Sequence, residues 1–322
     1  MKISQIGGEF ALIDRVTHKI RDRDVIVGIG DDTAVLKYKA NKYLLFTTDM
    51  LVENDHFNLK WSTPEQIGKK SIEVNVSDIA AMGGIPKYAV VSICLRKDIP
   101  VEFVDKLYNG IYKTAEKYKL EIIGGDTTHG DLVVINIAML GEVNKKNLSL
   151  RSDAKVNDLI CVTGNLGQST AGLNLLLNNI KDKRFQPILK KHMEPEAQLR
   201  KSRIISNYCN AMIDVSDGLA SEVEHICEMS KTGAAIYKEK IPVSDLTKEA
   251  ARLVKKDAYD FALYGGEDFE LVFTISRKNL SLLKKKNEKI YTVGKILQKR
   301  KGVYLLDKDK KIRLKKGYDH FK

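Results

Sequence analysis

A chain of 322 residues has room for two domains of ordinary size, and its 43% hydrophobic and 30% charged content is that of a water-soluble globular protein. No apolar run approaches the roughly 20 residues of a membrane span, and the opening MKISQIGGEF lacks the apolar segment of a secretory signal. The net charge of +12 raises nucleic-acid binding, but the lysines of LLKKKNEK, ILQKRKG and LDKDKKIRLKK lie between apolar runs with few aromatics to stack bases, so they read as solvated surface.

In chain order, Phe10, Ile13, Val16 and Ile20 stand near helical spacing within residues 8–21. VIVGI (25–29) and YLLFTTD (43–49) read as buried strands ending in polar residues. Thr63 as N-cap, Pro64 at the first helical position and Gln66 closing a capping box start a helix. That helix should carry Ile67, Val74 and Ile79 and run to Gly83-Gly84. YAVVSICL (88–95) predicts a strand and 101–118 an amphipathic helix; EIIGGD and LVVINIAMLGEV are strands, the second alternating Val133, Ile135, Ile137 and Met139. Apolar residues thin out over 143–158, which places a domain boundary near 147 and divides the chain into 1–147 and 148–322. DLICVTG (158–164) and a helix over 168–179 open the second part, where AMIDVSDG and YGGEDFELVF repeat the pattern of an apolar stretch beside glycine and acids. Alternating strands and helices give a mixed α/β (α+β) class. Cys94, Cys161, Cys209 and Cys227 form no CxxC pair, which argues against zinc or a disulfide framework and for a cytoplasmic protein.

The chemistry lies in carboxylates delivered by apolar runs to loops: Asp31-Asp32 in GIGDD, Asp49 in FTTD, Asp126 in IGGDT, and Asp214 and Asp217 in IDVSD. Asp78 in NVSD and Glu267-Asp268 in GGED join them. A single such acid ordinarily caps a helix or shapes a turn. The whole set in so basic a chain points to a convergent acidic cleft. Aspartates with neighbouring hydroxyls make hard-oxygen ligation, for which magnesium is the natural occupant. Magnesium usually takes only one or two carboxylates, so several aspartates imply several ions and a polyphosphate substrate. TPEQIGKKS lacks the first glycine of a Walker A loop and ends GKK, and GIGDDT breaks the dinucleotide fingerprint. GNLGQSTAG (164–172) is open to two readings, an anion cradle at a helix N-terminus or a simple strand-to-helix turn.

Taken together, GEFALIDR, GIGDDTAV, TTDMLVENDHF, VNVSDIAAMGG, IGGDTT, LSLRSDAKVND, VTGNLGQSTAGL, IDVSDGLASEV, YGGEDFEL and GYDHF resemble, in order and over essentially the whole chain, the thiamine-monophosphate kinase family of the AIR synthetase-like superfamily. The resemblance implies a two-domain AIR synthetase-like architecture. It also implies ATP- and magnesium-dependent phosphorylation of thiamine monophosphate to thiamine diphosphate by direct in-line transfer, in a homodimer joined through its N-terminal domains. Carried over by motif, Asp32, Thr47, Thr48, Asp49, Asp78, Asp126, Asp214 and Asp217 are expected at the metals, with Asp49, Asp126 and Asp217 the catalytic candidates. Tyr108, Gly125, Asp126, Arg151 and Ser216 are expected on the nucleotide, and His56, Glu267 and Tyr318 on the thiamine phosphate. Asp31 is expected to shape the loop rather than bind metal. Between TTDMLVE and HF the family usually has glycine; here Asn54-Asp55 stand, and asparagine tolerates left-handed backbone.

Three rival readings weaken on the same residues. A selenophosphate synthetase would carry a reactive cysteine near its start, whereas the first here is Cys94. The hydrogenase-maturation relative would end in a cysteine-bearing tail, and this chain ends YDHFK. A nucleic-acid-binding protein would be indifferent to the aspartates.

Overall fold

The computed structural model describes residues 9–18 and 20–314. Its first part runs α1 (Glu9–Val16), β1 (Val25–Val27), β2 (Ala34–Lys39), β3 (Lys42–Val52), α2 (Pro64–Ala81), β4 (Ile85–Leu95), α3 (Val101–Tyr118), β5 (Glu121–His129) and β6 (Val134–Asn144). The strands form one six-stranded sheet in the order β1-β2-β3-β6-β4-β5, antiparallel except for the β4–β5 pair. Period-2 patterning gives this sheet two unlike faces. Leu45, Leu51, Ile135, Ile137 and Met139 are buried with Leu107 and Ile111 of α3 in one core. Phe46, Met50, Tyr88, Val90 and Ile123 are exposed.

The start of α2 is the predicted one: Thr63 accepts from the Gln66 amide, the Gln66 side chain accepts from the Thr63 amide, and Pro64 opens the helix. Where α2 crosses α3, two glycines let the backbones meet. A Cβ at Gly68 would stand 2.1 Å from the Leu107 carbonyl oxygen, and one at Gly110 would stand 2.2 Å from that of Glu65. The reading of VIVGI as a buried strand is corrected. β1 covers only Val25–Val27 at a sheet edge, leaving Ile26 40% and Ile29 60% exposed, because among the described residues it pairs with β2 alone. The first helix likewise stops at Val16, short of Ile20.

The second part holds β7 (Leu159–Val162), α4 (Gln168–Leu177), α5 (Gln186–Met193), α6 (Leu199–Ile205), β8 (Ala211–Asp214), α7 (Leu219–Met229) and β9 (Thr232–Tyr237). It continues with α8 (Asp245–Leu253), α9 (Ala258–Tyr264), β10 (Leu271–Ile275), α10 (Arg277–Lys284), β11 (Tyr291–Gln298), β12 (Val303–Asp307) and β13 (Lys310–Arg313). Its seven-stranded sheet has the order β13-β12-β9-β11-β7-β10-β8, with β9 and β12 parallel. β8 and β10 are buried at every residue because helices cover both faces. Val272 joins a core with Leu175, Val223 and Phe261, while its neighbours Leu271 and Phe273 join another with Ile205, Leu280 and Leu283. Ala81, at the end of α2, packs into that last core, so α2 lies between the two sheets and is buried on most of its circumference. The result is a mixed α/β architecture of two sheet-based domains.

Candidate active site

Three apolar segments converge. Asp32 follows β1 in the GIGDD turn, Asp78 sits in the last turn of α2, and Asp214 ends β8. Carboxylate oxygens of these three lie within 4.8 Å of one another, the cluster found among the described residues. Thr47 Oγ1 donates to Asp78 Oδ2 at 2.5 Å, and Ser77 Oγ donates to Asp214 Oδ2 at 2.5 Å. Asp49, whose amide donates to Asn75 Oδ1, joins the group electrostatically beside Asp32 and Asp217. Burial first, and repulsion from neighbouring carboxylates second, pushes Asp49 up to about 6, Asp214 up to about 8 and Asp78 well above the carboxylate range.

Such a cluster stores repulsion that a divalent cation would relieve. Asp32 Oδ2 is a buried oxygen without a hydrogen-bond partner among the described residues. Every donor at the site is a carboxylate or hydroxyl oxygen, a set that fits magnesium and not a soft metal. Arg151 also reaches into the cluster. Its guanidinium donates to Asp32 Oδ1, and its amide donates to Asp31 Oδ2 at 3.2 Å. Asp31, pushed up to about 7 by burial and by Asp32, also accepts from the Asp32 amide, so it ties the turn together. The Asp217 amide donates to buried Glu222 Oε1 at 2.9 Å.

A cleft of about 430 Å³ is lined by Asp49, Asp78, Asp214 and Asp217 together with His56 and Glu267. Ser216 lines it as well. His56 is held in its loop by the Val52 amide, which donates to Nδ1 at 3.1 Å. Asn54 takes the left-handed conformation, with φ 71°, that the departure from glycine demanded. Glu267 is itself left-handed at φ 63° and is fastened at both oxygens. Lys70 Nζ lies 2.7 Å from Oε1, and His192 Nδ1 lies 3.3 Å from Oε2. Burial alone would raise this carboxyl, but the Lys70 ammonium and the His192 hydrogen bond hold it down at about 2.

The other expected residues lie apart. The TTD motif splits by strand alternation: Thr47 faces Asp78, while Thr48 donates to Asn136 on the opposite face. Gly125 and Asp126 are exposed on edge strand β5. In strand order β5 is three places from β3, roughly 14 Å at the ~4.8 Å spacing of neighbouring strands. Within one chain, then, Asp126 does not join the cluster. Tyr108 packs against Tyr112 on α3 and is not among the residues that line the cleft. Tyr318 lies outside the described residues. GNLGQSTAG resolves to the turn reading: the Gly167 and Ser169 amides both donate to Asp268, so this helix start is already occupied by a carboxylate.

Lys70, His192 and Glu222 were not among the sequence candidates. The first two carry a readable signal. Lys70 stands three after Ile67 and four before Val74, and His192 follows Ile188 and Leu189 at helical spacing, so each occupies a core position.

Residues 30–143 match the model of the AIR synthase related protein N-terminal domain, and residues 155–306 match that of its C-terminal domain. The chain is 41% identical to the thiamine-monophosphate kinase of Buchnera aphidicola subsp. Schizaphis graminum, over 97% of this chain and 98% of that protein. The chain belongs to the thiamine-monophosphate kinase family. The enzyme of that name from Bacillus subtilis is 38% identical over 98% of this chain and 99% of its own length. Among solved structures, the one described as "AaThiL complexed with AMPPCP and TMP" superimposes with a TM-score of 0.88 at 33% identity, covering 99% of both chains. Family membership makes the acidic cleft, and not the basic surface, the place to look for chemistry.

Proposed function

We infer that this protein transfers the γ-phosphoryl group of ATP to thiamine monophosphate, giving thiamine diphosphate. The observation that carries this reading is one cleft lined both by carboxylates of the buried acid cluster and by His56 and Glu267. The likeness to a solved structure that holds an ATP analogue and TMP supports it.

In this reading Asp32, Asp49, Asp78, Asp214 and Asp217, with Thr47, hold magnesium ions. Bound there, magnesium supplies neutralisation of the phosphate charge. The acceptor phosphate is already an anion at neutral pH, so no strong general base is required, and the task of the chain is to bring two anions into line. Arg151 is positioned to exchange its Asp32 contact for an ATP phosphate oxygen, and Ser216 lies in the cleft to contact the nucleotide. His56 and Glu267, which line the same cleft, orient thiamine monophosphate, and Glu267 stays ionised. Tyr318 belongs to this proposal as a further thiamine-phosphate contact.

The proposal extends to assembly. A homodimer closed over the exposed face of the first sheet would bury Phe46, Met50, Tyr88, Val90 and Ile123 and carry Thr48, Gly125 and Asp126 into the interface, with Tyr108 contacting nucleotide. The division into 1–147, with the metal and nucleotide cleft, and 148–322, which completes the site, is part of the same reading. So is a cytoplasmic location, which fits four free cysteines. Among the described residues, no helix is long and apolar enough to cross a membrane.

The test is an assay with ATP, magnesium and thiamine monophosphate, following thiamine diphosphate by chromatography. Product formation that needs all three is expected. A folded protein that makes none overturns the reading.

A further inference from the structure

Lys70 is among the largest fully buried side chains of the described residues, and it is a lysine in a helix clamped between two sheets. An ammonium there must be paired. It is held from two different halves of the chain, by the His56 carbonyl oxygen at 2.7 Å and by Glu267 Oε1 at 2.7 Å. Each partner sits in a loop that contains left-handed non-glycine residues, Asn54 in one and Glu267 and Phe269 in the other. A buried ion pair is weak evidence for stability, since an apolar pair of similar volume often does as well. What the ammonium does specifically is tie the two loops to one atom. On the far side of Glu267, His192 completes the clamp, with Nδ1 3.3 Å from Oε2 and 3.1 Å from Ser169 Oγ.

We propose that Lys70 and His192 are positioning residues for acceptor recognition: they fix the Glu267 carboxylate and the His56 loop as one preformed wall, so that Glu267 accepts a hydrogen bond from an N–H donor on the acceptor. This rests on the thiamine-monophosphate reading above. Neither residue lies in the metal cluster, so the effect is confined to the acceptor side.

The experiment measures KM for thiamine monophosphate and for ATP in Lys70→Met, Lys70→Met/Glu267→Gln, His192→Ala and His192→Asn, with thermal unfolding of each. Lys70→Met and His192→Ala should raise KM for thiamine monophosphate about 10- to 100-fold, the worth of one hydrogen bond to a charged group, with KM for ATP within about twofold. His192→Asn keeps an N–H near the Nδ1 position and should recover most of the loss. Lys70→Met/Glu267→Gln should regain the melting temperature lost in Lys70→Met but not the acceptor affinity, since the stranded charge is gone while the wall is still unset. If Lys70→Met does not fold, the His192 pair decides. Parallel rises in both KM values, or an unchanged KM for thiamine monophosphate in His192→Ala, would overturn the proposal. A wild-type chain inactive on thiamine monophosphate removes the acceptor reading and this inference together. An active wild type with unaffected variants removes this inference alone.

Discussion

Arg151 and Asp32 meet across 119 positions of chain: the guanidinium donates to Asp32 Oδ1 while Asp32 Oδ2 stays buried and, among the described residues, unpartnered. One cation thus stands against carboxylates that would otherwise repel one another, and one oxygen is left for a second cation. Replacing Arg151 with alanine should lower the melting temperature of the metal-free protein and enlarge the upward shift on adding magnesium. Turnover should fall about 10²-fold or more, as for loss of one group stabilising transferring charge. Thermal unfolding with and without magnesium, beside the turnover assay, checks both halves; an unchanged magnesium shift would contradict the countercharge role.

The acid cluster makes metal-free stability depend on pH in an unusual direction. Asp49 and Asp214 have folded-state values raised from 3.8 to about 6 and about 8, so the folded chain keeps protons that the unfolded chain has released. Their contribution to stability is fully present below about pH 4 and is lost as pH rises through 6 and then 8. The metal-free melting temperature should therefore fall between about pH 4 and pH 8, through Asp49 up to about pH 6 and through Asp214 up to about pH 8, as on the order of 1.4 kcal/mol is lost per proton per pH unit. Magnesium should stabilise most at the upper end. Asp214→Asn should flatten the metal-free curve, and an equally steep curve in that variant would remove Asp214 as its source.

Asp126 and Asp214 should separate cleanly. Asp214→Asn is expected to weaken binding of manganese, used as a spectroscopic stand-in, even without nucleotide. Asp126→Asn is expected to leave nucleotide-free binding unchanged and to lower turnover, because within one chain it stands roughly 14 Å from β3. Equal weakening in both variants would mean that Asp126 shares the cluster.

Asp268 closes the start of α4 by accepting from Gly167 and Ser169. Asp268→Ala strands those buried amides and should cost about 1–3 kcal/mol in denaturant unfolding. A cost near zero would return the loop to the anion-cradle reading.

What the sequence determined by itself was local or repetitive. The capping box at Thr63–Gln66 acts over one turn, and the alternation from Val133 to Met139 needs only the pleat, so helix start and buried face were both readable before any packing. Most of the aspartates were readable because each ends an apolar run, as in GIGDD, FTTD, IGGDT and IDVSD. Tertiary structure decided which of them meet. Asp32, Asp78 and Asp214 converge because α2 passes between two sheets, whereas Asp126 is carried off by the strand order β3-β6-β4-β5, which no local pattern encodes. The same passage of α2 buries Lys70, whose spacing from Ile67 and Val74 marks a core position but does not say what it meets there. A side chain's environment is set by what lies across from it, and here that partner, Glu267, is nearly two hundred positions away.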